Sequence, residues 1–189
     1  MSAQNEILDP KDLKDLEAQL AAYAQRKHLS PATSDRWQAW QAGDRAALLT
    51  CAEELQLGEN QLKDFLDWLE EIALRDETAI QAVLGQREIR TALTTRRSRN
   101  DKLKAVKTAL RKMRYPRLTQ LEASARAAVK ALDLGRSVQI LFPPAFEGDE
   151  ITVTFHARNT QELQERLSRL QQRVDDASFQ RMFDVLDEV

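Results

Sequence analysis

The chain has 189 residues, of which 42% are hydrophobic and 31% charged, and its formal net charge is −2. This length allows one substantial domain or two small ones, and the apolar content is sufficient to bury a core. The sequence has no apolar run of membrane-spanning length, its first residues (MSAQNEILDPKDLKDL) do not form a signal peptide, and its only cysteine, Cys51, excludes a disulfide framework, so we expect a cytoplasmic protein.

The charges are distributed unevenly along the chain. Residues 1–86 carry 8 basic and 16 acidic side chains, residues 87–117 carry 12 and 2, and residues 118–189 carry 8 and 12. The middle stretch therefore has a net charge of +10 in an otherwise acidic chain. It is predicted either to bind an external polyanion or to lie against the acidic N-terminal half.

Residues 1–95 are predicted to form an acidic, all-helical region. Asp9 and Pro10 are typical of an N-cap and first helical position, and Leu13, Leu16 and Leu20 recur at helical spacing up to about residue 28. Further helices are predicted from Ser34 or Asp35, over Asp44–Gln56, and between Thr78 and Leu93 with a break near Gly85.

The segment CAEELQLGENQLKDFLDWLEEIAL, residues 51–74, has the pattern of a helix-turn-helix with a Leu-Gly turn at Gly58. Its second helix is acidic and holds a single basic residue, Lys63. Because a recognition helix must approach phosphates, we interpret this unit as a packed helical hairpin and keep DNA reading as the alternative.

Residues 96–117 are predicted to form a basic connecting helix, which ends where Tyr115 precedes Pro116. An apolar stripe runs from Leu103 to Met113, and a stripe of cations lies directly beside it. Such a helix can bury one edge and present the other to phosphates. The predicted nucleic-acid contacts are Arg96, Arg97, Arg99, Lys104, Lys107, Arg111 and Arg114.

Residues 118–189 are predicted to form an α-β-β-α module. Thr119 with Glu122 is typical of a capping box at the start of a helix. SVQILF and EITVTFHA then alternate apolar and polar residues around the loop PPAFEGDE, which predicts a β-hairpin. Asn159 or Thr160 begins the next helix, and a short helix ends the chain.

An isolated two-stranded hairpin is marginally stable and leaves both sheet edges free, so we predict that a second copy of the chain pairs with it. The predicted dimerisation residues are Val138, Ile140, Leu141, Phe142, Ile151, Val153, Phe155, Leu163 and Leu167.

Catalytic and metal-binding patterns are weak in this sequence. Glu147, Asp149 and Glu150 cluster in the hairpin loop, where Gly-Asp is typical of a turn, and they are the only basis for an enzymatic alternative. His28 and His156 have no partner at metal-ligand spacing. We predict a non-enzymatic protein with no metal and no other cofactor.

Residues 121–170, LEASARAAVKALDLGRSVQILFPPAFEGDEITVTFHARNTQELQERLSRL, resemble the C-terminal domain of the ParB partition proteins. The order is helix, Leu-Gly turn, strand, loop, strand and helix, with Glu162-Leu163 after a polar cap. The resemblance implies dimerisation through the hairpin and the following helix, with non-specific DNA contact. Residues 1–95 lack the arginine-rich CTP-binding box of that family, and the outward strand positions are not lysines, so any DNA contact is expected on the basic helix instead.

The predicted fold is mostly α with a small α+β part. The predicted function is that of a ParB-like homodimer which binds nucleic acid, with DNA favoured, largely independently of sequence. We expect no membrane partner. The alternative is an adaptor whose acidic helical half recruits an unidentified protein while the basic helix serves as internal scaffolding.

Overall fold

The computed structural model describes residues 9–135, 137–175 and 179–187. These residues form ten α-helices, a short 3₁₀ helix and a two-stranded antiparallel sheet, which confirms the mostly helical class with a small β part. Among them, no helix has the length and apolarity needed to cross a bilayer. The chain divides into two compact units, the first ending at Arg114 and the second beginning at Tyr115.

The first unit consists of seven helices in its described part. The α2 helix begins earlier than predicted, because Ser30 accepts a hydrogen bond from the Thr33 backbone nitrogen (3.3 Å) and Pro31 occupies the first turn. The helices are α1 Pro10–Lys27, α2 Pro31–Gln38, α3 Ala42–Leu55, α4 Glu59–Arg75, α5 Ile80–Leu84, α6 Arg87–Thr94 and α7 Arg99–Arg114.

One apolar core holds this unit together, and every one of its helices contributes to it. Tyr23 is fully buried against the edge of Trp37, with ring centroids 5.9 Å apart. Its hydroxyl lies 3.0 Å from the Ala52 carbonyl and 2.8 Å from the Leu57 carbonyl, and burial raises the pKa of Tyr23 to about 12. The α1 helix is thereby tied to the end of α3.

The α7 helix is part of this unit. Val106, Ala109 and Leu110 are buried in the shared core, and α7 packs against α3, α4 and α6. Residues 96–117 were expected to be a separate connecting helix. Their apolar stripe instead buries α7 within the first unit, and the boundary between units follows Arg114.

The second unit begins with α8, which starts at Pro116 rather than near Thr119 because proline suits the first helical position. Thr119 therefore does not cap the helix, and its hydroxyl donates to the Tyr115 carbonyl (2.9 Å). The elements are α8 Pro116–Leu132, β1 Val138–Leu141, the 3₁₀ helix Pro144–Phe146, β2 Thr152–Phe155, α9 Thr160–Asp175 and α10 Gln180–Asp187.

The two strands pair in the antiparallel hairpin that the alternation predicted. Val138 lies opposite Phe155 and Ile140 opposite Val153, which places these four residues on one face of the sheet. Val138, Ile140 and Val153 pack, half-buried, on a core that contains Leu132 from α8 and Met182 from α10. The other face is more open, so the described residues of the second unit cover mainly one side of the sheet.

Candidate functional site

Basic residues flank the buried stripe of α7 on two sides. The helix begins after Ser98, whose hydroxyl accepts a hydrogen bond from the Asp101 backbone nitrogen (3.2 Å). Val106 and Leu110 then point into the core. Because this stripe fixes the rotation of the helix, it also determines which cations meet α3 and α4 and which turn towards α6.

Lys107 and Arg114 lie against α4. The Lys107 ammonium is 3.0 Å from an oxygen of Asp64 and 5.3 Å from the centre of the Trp68 ring. The Arg114 guanidinium is 2.6 Å from an oxygen of Glu71. Both cations therefore have partners within their own unit.

Lys102 and Arg99 lie against the end of α3. Lys102 pairs with Glu54, and its side chain is only 14% exposed. Arg99 donates from Nε to the Leu55 carbonyl (2.7 Å) and from Nη2 to the Gln56 carbonyl (3.2 Å). These bonds satisfy carbonyl groups that the end of a helix leaves without partners. We call Arg99, Lys102, Lys107 and Arg114 the inner cations.

The acidic side chains of α3 and α4 are largely engaged within the unit. On the side of α4 towards α2, Arg36 binds Asp67 and Glu70 at 2.7 and 2.6 Å. The acidic side chains of α4 therefore pair with α2 on one side of the helix and with α7 on the other. The ion-paired carboxylates at positions 53–76 are Glu53, Glu54, Glu59, Asp64, Asp67, Glu70, Glu71 and Asp76.

An open groove of about 1050 Å³ lies between α6 and α7. We call it the α6–α7 groove. Its four basic residues come from α6, the connecting loop and α7, and two acidic residues, Glu88 and Asp101, also line it. The groove cations are Arg87, Arg97, Lys104 and Lys112, and none of their side chains forms an ion pair within the described parts of the chain.

Small side chains line the remainder of the groove. Ala92 and Ala109 are buried, and Ala105 lies beside them. The Thr95 hydroxyl donates to the Thr91 carbonyl (2.6 Å), and the Thr108 hydroxyl donates to the Lys104 carbonyl (2.8 Å). Both hydroxyl protons are thus used in local hydrogen bonds. The donors that remain in the groove are mainly its cations, which suit phosphate or carboxylate oxygens.

The structure separates the seven predicted nucleic-acid contacts. Arg97 and Lys104 line the groove. Arg96, which precedes Arg97 in the sequence, is exposed. Arg111 is exposed but has an interaction partner of its own, so we assign it to neither group. The other three, Arg99, Lys107 and Arg114, are inner cations.

Sequence reasoning missed Arg87 and Lys112. Lys112 lies on the side of α7 marked by Ala105, Thr108 and Ala109. Small residues repeated at helical spacing indicate the close approach of a neighbouring helix, so this signal was available in the sequence. Arg87 carried no comparable signal, because its place in the groove depends on where the eight-residue helix α6 packs.

The predicted dimerisation residues are also separated. Val138, Ile140, Phe142, Ile151 and Val153 are half-buried on the core of their own unit, and Phe155 is half-buried at the end of β2. The exposed members are Leu141, Leu163 and Leu167, at 55%, 38% and 46% exposure.

The α9 helix has no buried residue. Leu163, Leu167, Leu170 and Val174 recur along it at spacings of four, three and four residues. Val174, which was not predicted as an interface residue, is exposed as well. Leu170 packs, half-buried, on the core of the unit. The part of the stripe that the described residues leave exposed therefore consists of Leu163, Leu167 and Val174.

The candidate catalytic side chains differ in their burial. Burial raises the pKa of the Cys51 thiol to about 12, which disfavours its nucleophilic form. Glu147, Asp149 and Glu150 are exposed in the hairpin loop. Within the described ranges, no group of three or more His, Cys, Asp or Glu side chains is placed to hold a metal ion.

Comparison with protein-family models, with curated proteins and with solved structures finds no match for this chain. Its site is therefore interpreted from its own geometry.

Proposed function

We propose that this protein binds nucleic acid, with duplex DNA favoured, through the α6–α7 groove rather than along the whole basic helix. One observation supports the proposal. The inner cations are held by carboxylates and carbonyls of α3 and α4, whereas the four groove cations have no ion pair among the described residues.

The expected binding is electrostatic and largely independent of sequence. Each phosphate that a cation neutralises releases counterions, so four contacts give a slope of log affinity against log salt of about −3.6 on duplex DNA. Among the described residues that line the groove, none has an aromatic side chain on which a base can stack. Contacts with phosphates are therefore expected to dominate over contacts with bases.

Fluorescence anisotropy with a labelled duplex tests this proposal. The double variant Lys104→Gln/Lys112→Gln is expected to bind about ten-fold more weakly at moderate salt, since two phosphate contacts are lost. The matched control is Lys11→Gln/Lys14→Gln, which removes the same charge from exposed positions on α1. Equal losses in both variants, or no binding by the natural chain at low salt, would refute groove-specific binding.

A second candidate follows from the apolar floor of the groove. Ala92, Ala105, Ala109 and Met113 lie between the groove cations, as expected of a groove that accepts an amphipathic helix with acidic flanks. This is an adaptor function, but with the basic rather than the acidic surface as the docking site. The acidic half supports recruitment less well, because the α3 and α4 carboxylates named above are already paired.

An acidic amphipathic peptide added to the same titration distinguishes these candidates. If the protein binds nucleic acid, raising the salt concentration weakens DNA binding steeply, and the peptide binds poorly. If it docks a helix, peptide binding survives the added salt because buried apolar area carries it.

We further propose that two copies associate through α9 and the open face of the hairpin, as the resemblance to ParB proteins implies. Leu163, Leu167, Leu170 and Val174 fit the d, a, d and a positions of two heptads. Gln164 and Gln171 then occupy e positions, and arginines occupy g positions. A parallel pair places Arg166 opposite Gln171 of the other copy, which avoids repulsion between like charges at this position.

Light scattering of Leu163→Gln/Leu167→Gln against the natural chain tests this association. The natural chain is expected to be a dimer and the variant a monomer, because two central apolar contacts are lost. Leu74→Gln is the control, since Leu74 is 83% exposed but lies on α4 in the first unit. A monomeric natural chain at high concentration would disprove the dimer.

A further inference from the structure

A polar pocket of about 650 Å³ lies in the second unit, where β2 ends and α9 begins. One apolar wall is formed by Phe155 and Ala157. The remaining lining residues are polar or charged, and most of them are basic or hydroxyl-bearing. They are Ser137, His156, Arg158, Glu162 and Arg166.

Hydrogen bonds hold the walls of this pocket in place. The His156 backbone nitrogen donates to the Ser137 carbonyl (2.9 Å) and extends the pairing of the two strands by one step. The Arg158 backbone nitrogen donates to Glu162 Oε2 (3.0 Å), and Arg166 Nη2 donates to the same oxygen (3.1 Å). Because these bonds fix the pocket before a ligand arrives, binding costs little conformational entropy.

The first turn of α9 is already capped, because Asn159 Oδ1 accepts a hydrogen bond from the Glu162 nitrogen (2.9 Å). The cap already uses the Glu162 N–H group, so the proposed site is argued from side chains. The two guanidinium groups, on Arg158 and Arg166, supply that chemistry.

The basic groups of the pocket outweigh its single carboxylate. The hydrogen bond from the Arg158 backbone, together with the charges of Arg166 and Arg158, lowers the pKa of Glu162 and keeps it ionised. Glu162 Oε2 engages Arg166 through Nη2, whereas Arg166 Nη1 is shielded from solvent and has no acceptor among the described residues. A shielded N–H group without an acceptor is unfavourable, so an arriving oxyanion that draws the guanidinium towards it gains a hydrogen bond.

We propose that this pocket binds a phosphate group, carried either by a small phosphorylated molecule or by a nucleic-acid backbone. Arg158 and Arg166 would hold the phosphate oxygens, since the forked guanidinium matches the geometry of an oxyanion. Ser137 and His156 are placed to add hydrogen bonds, and Phe155 provides a surface for the rest of the ligand. This inference concerns the second unit and does not rest on the α6–α7 groove.

Titration of the isotopically labelled full chain with inorganic phosphate, followed by NMR at constant ionic strength, tests the proposal. Saturable shifts are expected at the backbone amides of His156, Arg158 and Glu162. Arg158→Gln and Arg166→Lys should each weaken binding by about ten-fold or more, because a hydrogen bond to a charged group is lost. Arg169→Gln is the matched control on α9, since Arg169 does not line the pocket.

Arg158 is exposed, so Arg158→Gln is expected to leave the fold intact. This variant therefore tests the proposal even if Arg166→Lys perturbs folding. A short DNA duplex added as competitor then identifies the source of the phosphate. If the duplex displaces inorganic phosphate, the pocket binds the phosphates of a nucleic-acid backbone. If the duplex does not displace it, the ligand is a small phosphorylated molecule. No saturable shift with phosphate, or equal binding by the arginine variants and the control, would overturn the proposal.

Discussion

The two sides of α7 carry the same kind of charge in different settings. Lys107 is held between the Asp64 carboxylate and the Trp68 ring, whereas Lys104, three residues earlier, lines an open groove and has no ion pair among the described residues. Both were expected to contact nucleic acid. The comparison shows that the fold pairs some cations of a dense basic stretch internally and leaves others without an ion pair among the described residues.

The largest expected effect comes from disrupting the stripe that sets the rotation of α7. Leu110 is fully buried, so Leu110→Ala should lower the free energy of unfolding by about 2–4 kcal/mol. Denaturant unfolding measures this loss. Lys112→Ala, on the groove side of the same helix, is the control and should change stability by less than about 0.5 kcal/mol. Equal effects would mean that α7 is not part of the core of the first unit.

The paired carboxylates of the first unit make its stability depend on pH. Glu59 accepts hydrogen bonds from Ser30 (2.8 Å), Thr33 (2.8 Å) and Lys63 (2.8 Å). Although burial alone raises the pKa of Glu59, the bonds from Lys63, Ser30 and Thr33 lower it from 4.5 to about 2.

Because the pKa of Glu59 is lower in the folded state, its stabilising contribution is complete above pH 4.5 and is lost as the pH falls towards 2. Glu59→Gln should therefore make the unfolding free energy less dependent on pH across this interval. Unfolding curves at several pH values measure the effect, with Glu17→Gln on the exposed side of α1 as the control. An unchanged pH dependence in Glu59→Gln would contradict the assigned network.

A smaller effect is expected from the inner cations themselves. Lys107→Gln removes a partly exposed ion pair and a contact with an aromatic ring, so the unfolding free energy should fall by about 1 kcal/mol. Lys104→Gln should leave it nearly unchanged. If Lys104→Gln were the more destabilising of the two in thermal or denaturant unfolding, the assignment of inner and groove cations would be reversed.

Periodicity in the sequence was sufficient to predict most helices and the hairpin, because a buried stripe or alternating strand is a local pattern. It placed the starts of α2 and α8 a few residues late, where Ser30-Pro31 and Tyr115-Pro116 determine the helix ends. The separation of the cations was not predictable in the same way, because the partners of Lys102 and Lys107 lie 48 and 43 residues away in the chain.

The same limit explains the second unit. The alternation of the strands correctly predicted two different faces, one half-buried and one more open, and Leu141 lies on the open face. Nothing local indicated that Ser137, Arg158 and Arg166 would line one pocket, since they come from before β1, after β2 and within α9. Sites assembled from three separate elements require the topology as well as the pattern.

The most direct test of the central claim is the salt dependence of duplex DNA binding in two charge-matched variants. Lys104→Gln/Lys112→Gln removes groove cations, and Lys102→Gln/Lys107→Gln removes inner cations. The first is expected to make the slope of log affinity against log salt shallower by roughly 2, since each lysine–phosphate contact contributes about 1. The second should retain the slope of the natural chain, and a shallower slope in the second variant alone would contradict the account.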